Sequence, residues 1–160
     1  MIRLILVFLI IGLTPYATAQ PHDITAMDNK QTVTDFVDKV LNQQQLPLID
    51  AFISPAFVNH SRNAIPGIDG VRKYFAMLNG AFPDRKVTIT QLMSEGDLVN
   101  IYTEWTGTHT GSFLNYPASG RQVTVYTSDL YRLKEGRIIE HWDVVNNTEM
   151  MLLIGALSKK

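Results

Sequence analysis

The stretch from Arg121 to Asn146 reads RQVTVYTSDLYRLKEGRIIEHWDVVN, and its reading decides the fold. Polar and apolar residues alternate on both sides of Glu135-Gly136. A period of two sends successive side chains to opposite faces of a sheet. Strands are therefore predicted over 121–133 and 137–146. A two-residue mirror-image turn would need positive φ at both Glu135 and Gly136, and Glu adopts it poorly. A three-residue loop, Lys134-Glu135-Gly136, needs it at Gly136 alone and is the predicted connection. That register pairs Leu133 with Arg137, Tyr131 with Ile139, Asp129 with His141 and Thr127 with Asp143. Asp129, His141 and Asp143 then share one face, an imidazole opposite one carboxylate and diagonal to a second. Such a cluster, if enclosed, is competent for acid–base chemistry. A slip of one residue would carry Asp129 to the other face.

Upstream the same period predicts strands over 86–93 and 98–109, with Glu95-Gly96 as the turn between them. Before Pro83 the apolar period is helical. A first helix is predicted from Asp28, a plausible N-cap, with Val33, Phe36, Val37, Val40 and Leu41 on its buried face. A short second helix follows Pro47, runs through Ile49, Phe52 and Ile53, and stops at Pro55. A third starts near Ile68, buries Val71, Tyr74, Phe75 and Leu78, and ends at Gly80 as C-terminal cap. A short helix over 150–157 closes the chain. Helices first and an antiparallel meander afterwards make an α+β fold, with the helices on one face of a curved, mainly antiparallel sheet.

The chain has 160 residues and no cysteine, which excludes thiol nucleophiles, cysteine zinc sites and iron–sulfur clusters. Arg3, the apolar run from Leu4 to Leu13 and Ala17-Thr18-Ala19 have the layout of a cleaved signal peptide over residues 1–19. The apolar run is shorter than the roughly 20 residues a spanning helix needs, so no stable membrane insertion is expected after cleavage. The product would be exported, periplasmic or secreted. Residues 20–27 read as a short tail and 28–157 as one domain. Without the leader there are 13 basic against 15 acidic residues, a balance that argues against nucleic acid as partner.

Five motifs in order carry a family resemblance: Phe57-Val58-Asn59-His60, Trp105 with Thr108-His109-Thr110-Gly111, Pro117 with Ser119-Gly120-Arg121, Gly136-Arg137-Ile138, and Glu140-His141-Trp142-Asp143. Together they resemble the SnoaL-like polyketide cyclases and related ester cyclases of the nuclear-transport-factor-2-like superfamily. The resemblance implies a cone-shaped barrel with three N-terminal helices packed on the curved sheet. It implies a general acid/base at Asp143, the position matching the Asp of an intramolecular aldol closure, with no metal or cofactor. Cyclases of the family place an assisting His on the preceding strand. Here Asp129 lies near that place, and the imidazole sits across the hairpin on His141. Asn146 stands where many members have a further Asp.

Asp143, His141 and Asp129 are thus the candidate catalytic residues. His60, Asn59, Trp105 and Trp142 are the candidate substrate-binding residues and cavity wall. His141 and Asp143 are two apart on a strand, and zinc needs three or four gathered ligands, so no metal is expected. Neither a Gly-x-Ser-x-Gly elbow nor a phosphate loop occurs. The expected function is cofactor-free acid–base chemistry, of cyclase, isomerase or lyase type, on a small hydrophobic carbonyl compound or ester in an apolar cavity. The alternative is a non-catalytic module that holds a small ligand in the cell envelope. Tyr102 and Tyr126 mark a sheet face suited to a homodimer.

Overall fold

The computed structural model of the protein describes residues 22–62 and 64–158; the expected leader at 1–19 lies outside them. Helix α1 spans His22–Phe36 and continues as a π-helical turn over Val37–Asn42. It begins at His22 rather than Asp28, so most of the expected tail is helical. Val33, Phe36, Val37 and Val40 are all buried, at the spacing that forms one helical face. Asn42 then grips the sheet: its Nδ2 donates to the Val87 carbonyl at 3.0 Å and its Oδ1 accepts from the Val87 N–H at 2.7 Å. That satisfies backbone groups of an edge strand which would otherwise need water.

A 3-10 turn, Leu46–Leu48, leads into the one-turn helix α2, Ile49–Phe52. Strand β1, Ile53–Asn59, follows at once. The sequence reading had helix two end at Pro55 and placed no strand here. Proline is tolerated because β1 is an edge strand, and its ladder with β5 is parallel and irregular between Ile53 and Val58. Helix α3 spans Gly67–Ala81, and Gly80 lies inside it instead of capping it. The helix end is satisfied from outside: Thr110 and Gly111 donate their N–H groups to the Ala81 carbonyl at 3.0 and 3.2 Å. A Cβ on Gly111 would lie 2.1 Å from the Gly80 carbonyl oxygen, so only glycine admits this approach.

Strands β2 (Lys86–Glu95), β3 (Leu98–Thr108), β4 (Gln122–Lys134) and β5 (Arg137–Asn146) form the meander, and α4 (Thr148–Leu153) follows. The sheet order is β1-β5-β4-β3-β2, a curved open sheet with β1 and β2 at its edges. Its inner face buries Val99, Ile101, Thr103 and Trp105 from β3 with Val123, Val125, Thr127, Tyr131 and Leu133 from β4. This is the α+β cone architecture expected from the sequence. Among the described residues no helix is long and apolar enough to cross a membrane.

The β4–β5 hairpin corrects the predicted register. Lys134 pairs with Arg137, so the turn has two residues, and both take positive φ (Glu135 52°, Gly136 72°). Glu135 accepts the left-handed conformation that its side chain disfavours. A bulge between Arg132 and Leu133 then leaves Ile139 unpaired, and the ladder resumes with Arg132 opposite Glu140. Beyond it Tyr131 faces His141, Asp129 faces Asp143 and Thr127 faces Val145. The shift from the predicted register is two residues, which preserves the face on which every side chain lies.

Candidate active site

Two rungs of the inner sheet face carry the polar residues. In the first, Asn59 of β1, His141 of β5, Tyr131 of β4 and Val99 of β3 lie in line. In the second, Asp143, Asp129 and Ile101 lie in line. The third rung, Val145, Thr127 and Thr103, closes the cluster on one side. An imidazole and two carboxylates thus sit on strands, held by ladders on both sides, rather than on loops.

The Ser61 N–H donates to Asn59 Oδ1 at 3.0 Å, which fixes that atom as the amide oxygen. It lies 3.3 Å from His141 Nδ1, which is also 3.5 Å from the Ser61 hydroxyl. On the other side of the ring, His141 Nε2 is 3.0 Å from Asp129 Oδ1. Two bare acceptors cannot share that contact, so a proton lies between the nitrogen and the carboxyl oxygen. Asp129 Oδ2 accepts from the Thr127 hydroxyl, which also meets the Thr103 hydroxyl at 2.7 Å in the buried sheet. The Tyr131 ring stacks on His141 with centroids 4.8 Å apart. Burial, and then the charges of Asp129 and Asp143, push the Tyr131 hydroxyl well above its ordinary pKa, so it stays a donor.

Asp143 differs from its partner. Among the described residues its carboxylate receives no hydrogen bond, while Asp129 is held at both oxygens. Asp129, His141 and Asp143 each place one ligand atom within 4.8 Å of the others, all half-buried. Those three donors could also hold a metal ion, with positions left open for water or substrate. Chemically the arrangement offers a free carboxylate beside a proton-carrying pair.

The sequence candidates divide between the two faces. Asn59 joins the inner cluster through His141. Trp105 is on the same face but is 9% exposed and packs edge-on against Phe82, 5.4 Å between centroids. It is core at the far end of β3, separated from Ile101 by Thr103. His60 and Trp142 are on the outer face: their rings stack at 4.4 Å, and Trp142 precedes Asp143 on a strand whose neighbours alternate. The structure therefore does not bring His60 and Trp142 to the acid cluster. Two surface depressions lie elsewhere, one at Asp97 and Gly136, the other along Ser54, Val58 and Glu140.

Sequence reasoning missed Ser61, Tyr131 and Tyr74. Alternation alone places Tyr131 on the face of Asp129, so its signal was present. Tyr74 had been read as core at helical spacing. It keeps 47% of its surface accessible, yet burial raises its hydroxyl pKa, with Arg85 opposing and Asp143 and Asp129 reinforcing. The carboxylates it feels are those of the inner sheet face, which α3 therefore borders.

A family model for SnoaL-like polyketide cyclases matches residues 31–152. The chain belongs to the SnoaL-like polyketide cyclase family. Solved SnoaL-like relatives share its fold. One is AclR, a putative hydroxylase from Streptomyces galilaeus, 28% identical with a TM-score of 0.77 over 84% of this chain and 85% of that one. Another is a putative SnoaL-like polyketide cyclase from Jannaschia sp. CCS1, 27% identical with a TM-score of 0.76, covering 89% of this chain and 100% of that one. IdmH, a putative polyketide cyclase from Streptomyces antibioticus, is 26% identical with a TM-score of 0.69 over 79% and 98%. No curated protein matches the sequence. Membership supports cyclase- or isomerase-type chemistry, and one fold serving a putative hydroxylase and putative cyclases leaves the reaction to the site.

Proposed function

We propose that this SnoaL-like protein is a cofactor-free acid–base catalyst that acts on a small hydrophobic carbonyl compound or ester bound between α3 and the inner sheet face. The observation that carries this reading is the unbonded Asp143 carboxylate beside the His141–Asp129 pair. Asp143 takes a proton from the carbon alpha to the carbonyl, leaving an enolate. In a ring closure the enolate carbon attacks a second carbonyl of the same molecule, one C–C bond forms, and the resulting alkoxide takes a proton. The His141 Nε2–Asp129 Oδ1 pair supplies that proton. Asp143 then passes the proton it gained to the His141–Asp129 pair, so the site returns to its starting state with no net transfer to solvent.

The test is alpha-proton exchange in deuterated water, followed by NMR with medium-chain ketones such as 2-octanone as probes. The wild-type protein is expected to accelerate exchange, and Asp143→Asn to abolish that while melting within a few degrees of wild type. Ligand binding without exchange would favour the non-catalytic envelope module instead. Export belongs to the same proposal, and the mass of protein recovered outside the cytoplasm, with or without residues 1–19, tests it. So does a homodimer through the outer sheet face, where exposed Tyr102 and Tyr126 stack at 6.3 Å; sedimentation of Tyr102→Lys against wild type tests that.

A further inference from the structure

Arg85 lies just before β2 and is only 5% exposed. A guanidinium remains charged at any ordinary pH, and buried charges are normally paired. Arg85 forms no ion pair among the described residues. Its Nη2 donates to the Leu41 carbonyl at 3.3 Å and to Asn79 Oδ1 at 3.1 Å, both neutral. Its Nε has no hydrogen-bond partner among the described residues. The adjacent carboxylate, Asp84, is engaged elsewhere, accepting the Thr108 N–H at 2.7 Å and the Thr108 hydroxyl at 2.6 Å. The Phe75 ring lies 5.9 Å from the guanidinium carbon and offers only a weak substitute for an anion. Burial lowers the Arg85 pKa to about 10, still far above neutrality.

Arg85 also belongs to the same space as the acid cluster. The Tyr74 hydroxyl feels the Arg85 charge on one hand and those of Asp143 and Asp129 on the other. Phe75, beneath Arg85, packs on Phe36, and Phe36 packs edge-on against Tyr131, the ring that covers His141. The inner face under α3 is therefore polarised. Among the described residues a cation without a counter-ion stands at one end, two carboxylates at the other, and a chain of packed aromatic rings joins them. A negatively charged group is drawn to the first end and repelled from the second.

We propose that Arg85 receives the carboxylate of an amphiphilic ligand, so that the substrate class is a small oxo acid with an apolar body. The carboxylate binds at Nε and the free side of the guanidinium, and the carbonyl end is left at Asp143. The orientation of the carbonyl rests on the catalytic reading of Asp143; the position of the carboxylate does not.

The probes are octanoate and its uncharged counterpart methyl octanoate, titrated calorimetrically into wild type, Arg85→Gln and Arg85→Lys. A charge-assisted bond in a buried site predicts that octanoate binds at least about tenfold more tightly than the ester. The preference should vanish in Arg85→Gln and survive in part in Arg85→Lys. Because Arg85→Gln can weaken the packing at Leu41 and Asn79, the wild type supplies a second readout. The Arg85 Nε–H resonance should move on saturation with octanoate and stay in place with methyl octanoate. Equal affinity for both probes, a preference unchanged in Arg85→Gln, or an unmoved Nε–H resonance would each overturn the assignment. The two readings fail separately: exchange of 2-octanone without an octanoate preference rejects Arg85 alone, whereas an Arg85-dependent octanoate preference without exchange rejects only the catalytic reading.

Discussion

The two faces of the β4–β5 hairpin each carry an imidazole against a carboxylate, at nearly the same distance and in opposite circumstances. On the inner face His141 meets Asp129 at 3.0 Å, with side chains 15% and 16% exposed. On the outer face His60 meets Glu140 at 2.8 Å, with side chains 36% and 29% exposed. The outer pair is further shared, since Arg132 bonds Glu140 at 3.0 Å and Asp97 at 2.8 Å. Water and neighbouring charges screen it, and such pairs contribute little. The inner pair has its second imidazole nitrogen fixed by Asn59, its second carboxyl oxygen fixed by Thr127, and a free carboxylate beside it. Distance between partners does not separate a functional pair from a decorative one; what holds the remaining atoms does.

The largest effect should come from attacking the inner face. Asp143→Asn is expected to lower ketone proton exchange by about a hundredfold or more, the scale of a lost general base. Glu140→Gln and His60→Ala on the outer face should leave the rate within about twofold. Equal losses on both faces, read by the same NMR assay, would erase the distinction. Next in size is the hydroxyl chain behind Asp129. Thr127→Val leaves the Thr103 hydroxyl without its buried partner and Asp129 without one donor. A cost of about 1–3 kcal/mol in urea unfolding is expected. A change near zero would mean that water replaces the bond and the inner face is wetter than its burial implies.

A smaller effect is set by pH. His109 is fully buried, with its Nδ1 accepting the Ser119 N–H at 3.2 Å and its ring on Phe82. Desolvation holds its pKa below that of an ordinary histidine. The unfolded chain then binds a proton more readily than the folded one. Stability from this residue is complete above about pH 6.5 and falls as pH drops towards the folded value. Thermal melts from pH 7.5 to 5 should show the decline, and His109→Gln should flatten it. Asp84, lowered by its Thr108 hydrogen bonds, acts in a separate and more acidic window, below 3.8. The smallest effect is thermodynamic: Glu140→Gln should change unfolding free energy by no more than about 1 kcal/mol, less in high salt.

Much of this arrangement was legible in the sequence, for unequal reasons. The shared face of Asp129, His141 and Asp143 followed from alternation. It held although the predicted turn was wrong, because the two-residue turn and the bulge at Ile139 each shift the ladder by one. The same alternation excludes Trp142 from the face of Asp143, so grouping them was avoidable. Strand β1 was illegible: seven residues with Pro55 inside them carry no clean period, and only the tertiary ladder with β5 makes them a strand. Helix α3 showed its apolar stripe, but Tyr74 lies at its border, where packing alone decides between core and cleft. Arg85 gave no local sign, since a charged residue before a strand reads as solvated until the fold closes over it.

The bulge at Ile139 bears on any attempt to move this site into another protein. A regular two-residue hairpin given the same sequence would pair Asp129 with Trp142, deliver the indole to the interior and turn His141 and Asp143 towards solvent. The transplantable unit is therefore the hairpin together with its irregularity, and a designer who straightens the backbone while keeping the residues would graft the letters of the site in the wrong reading frame.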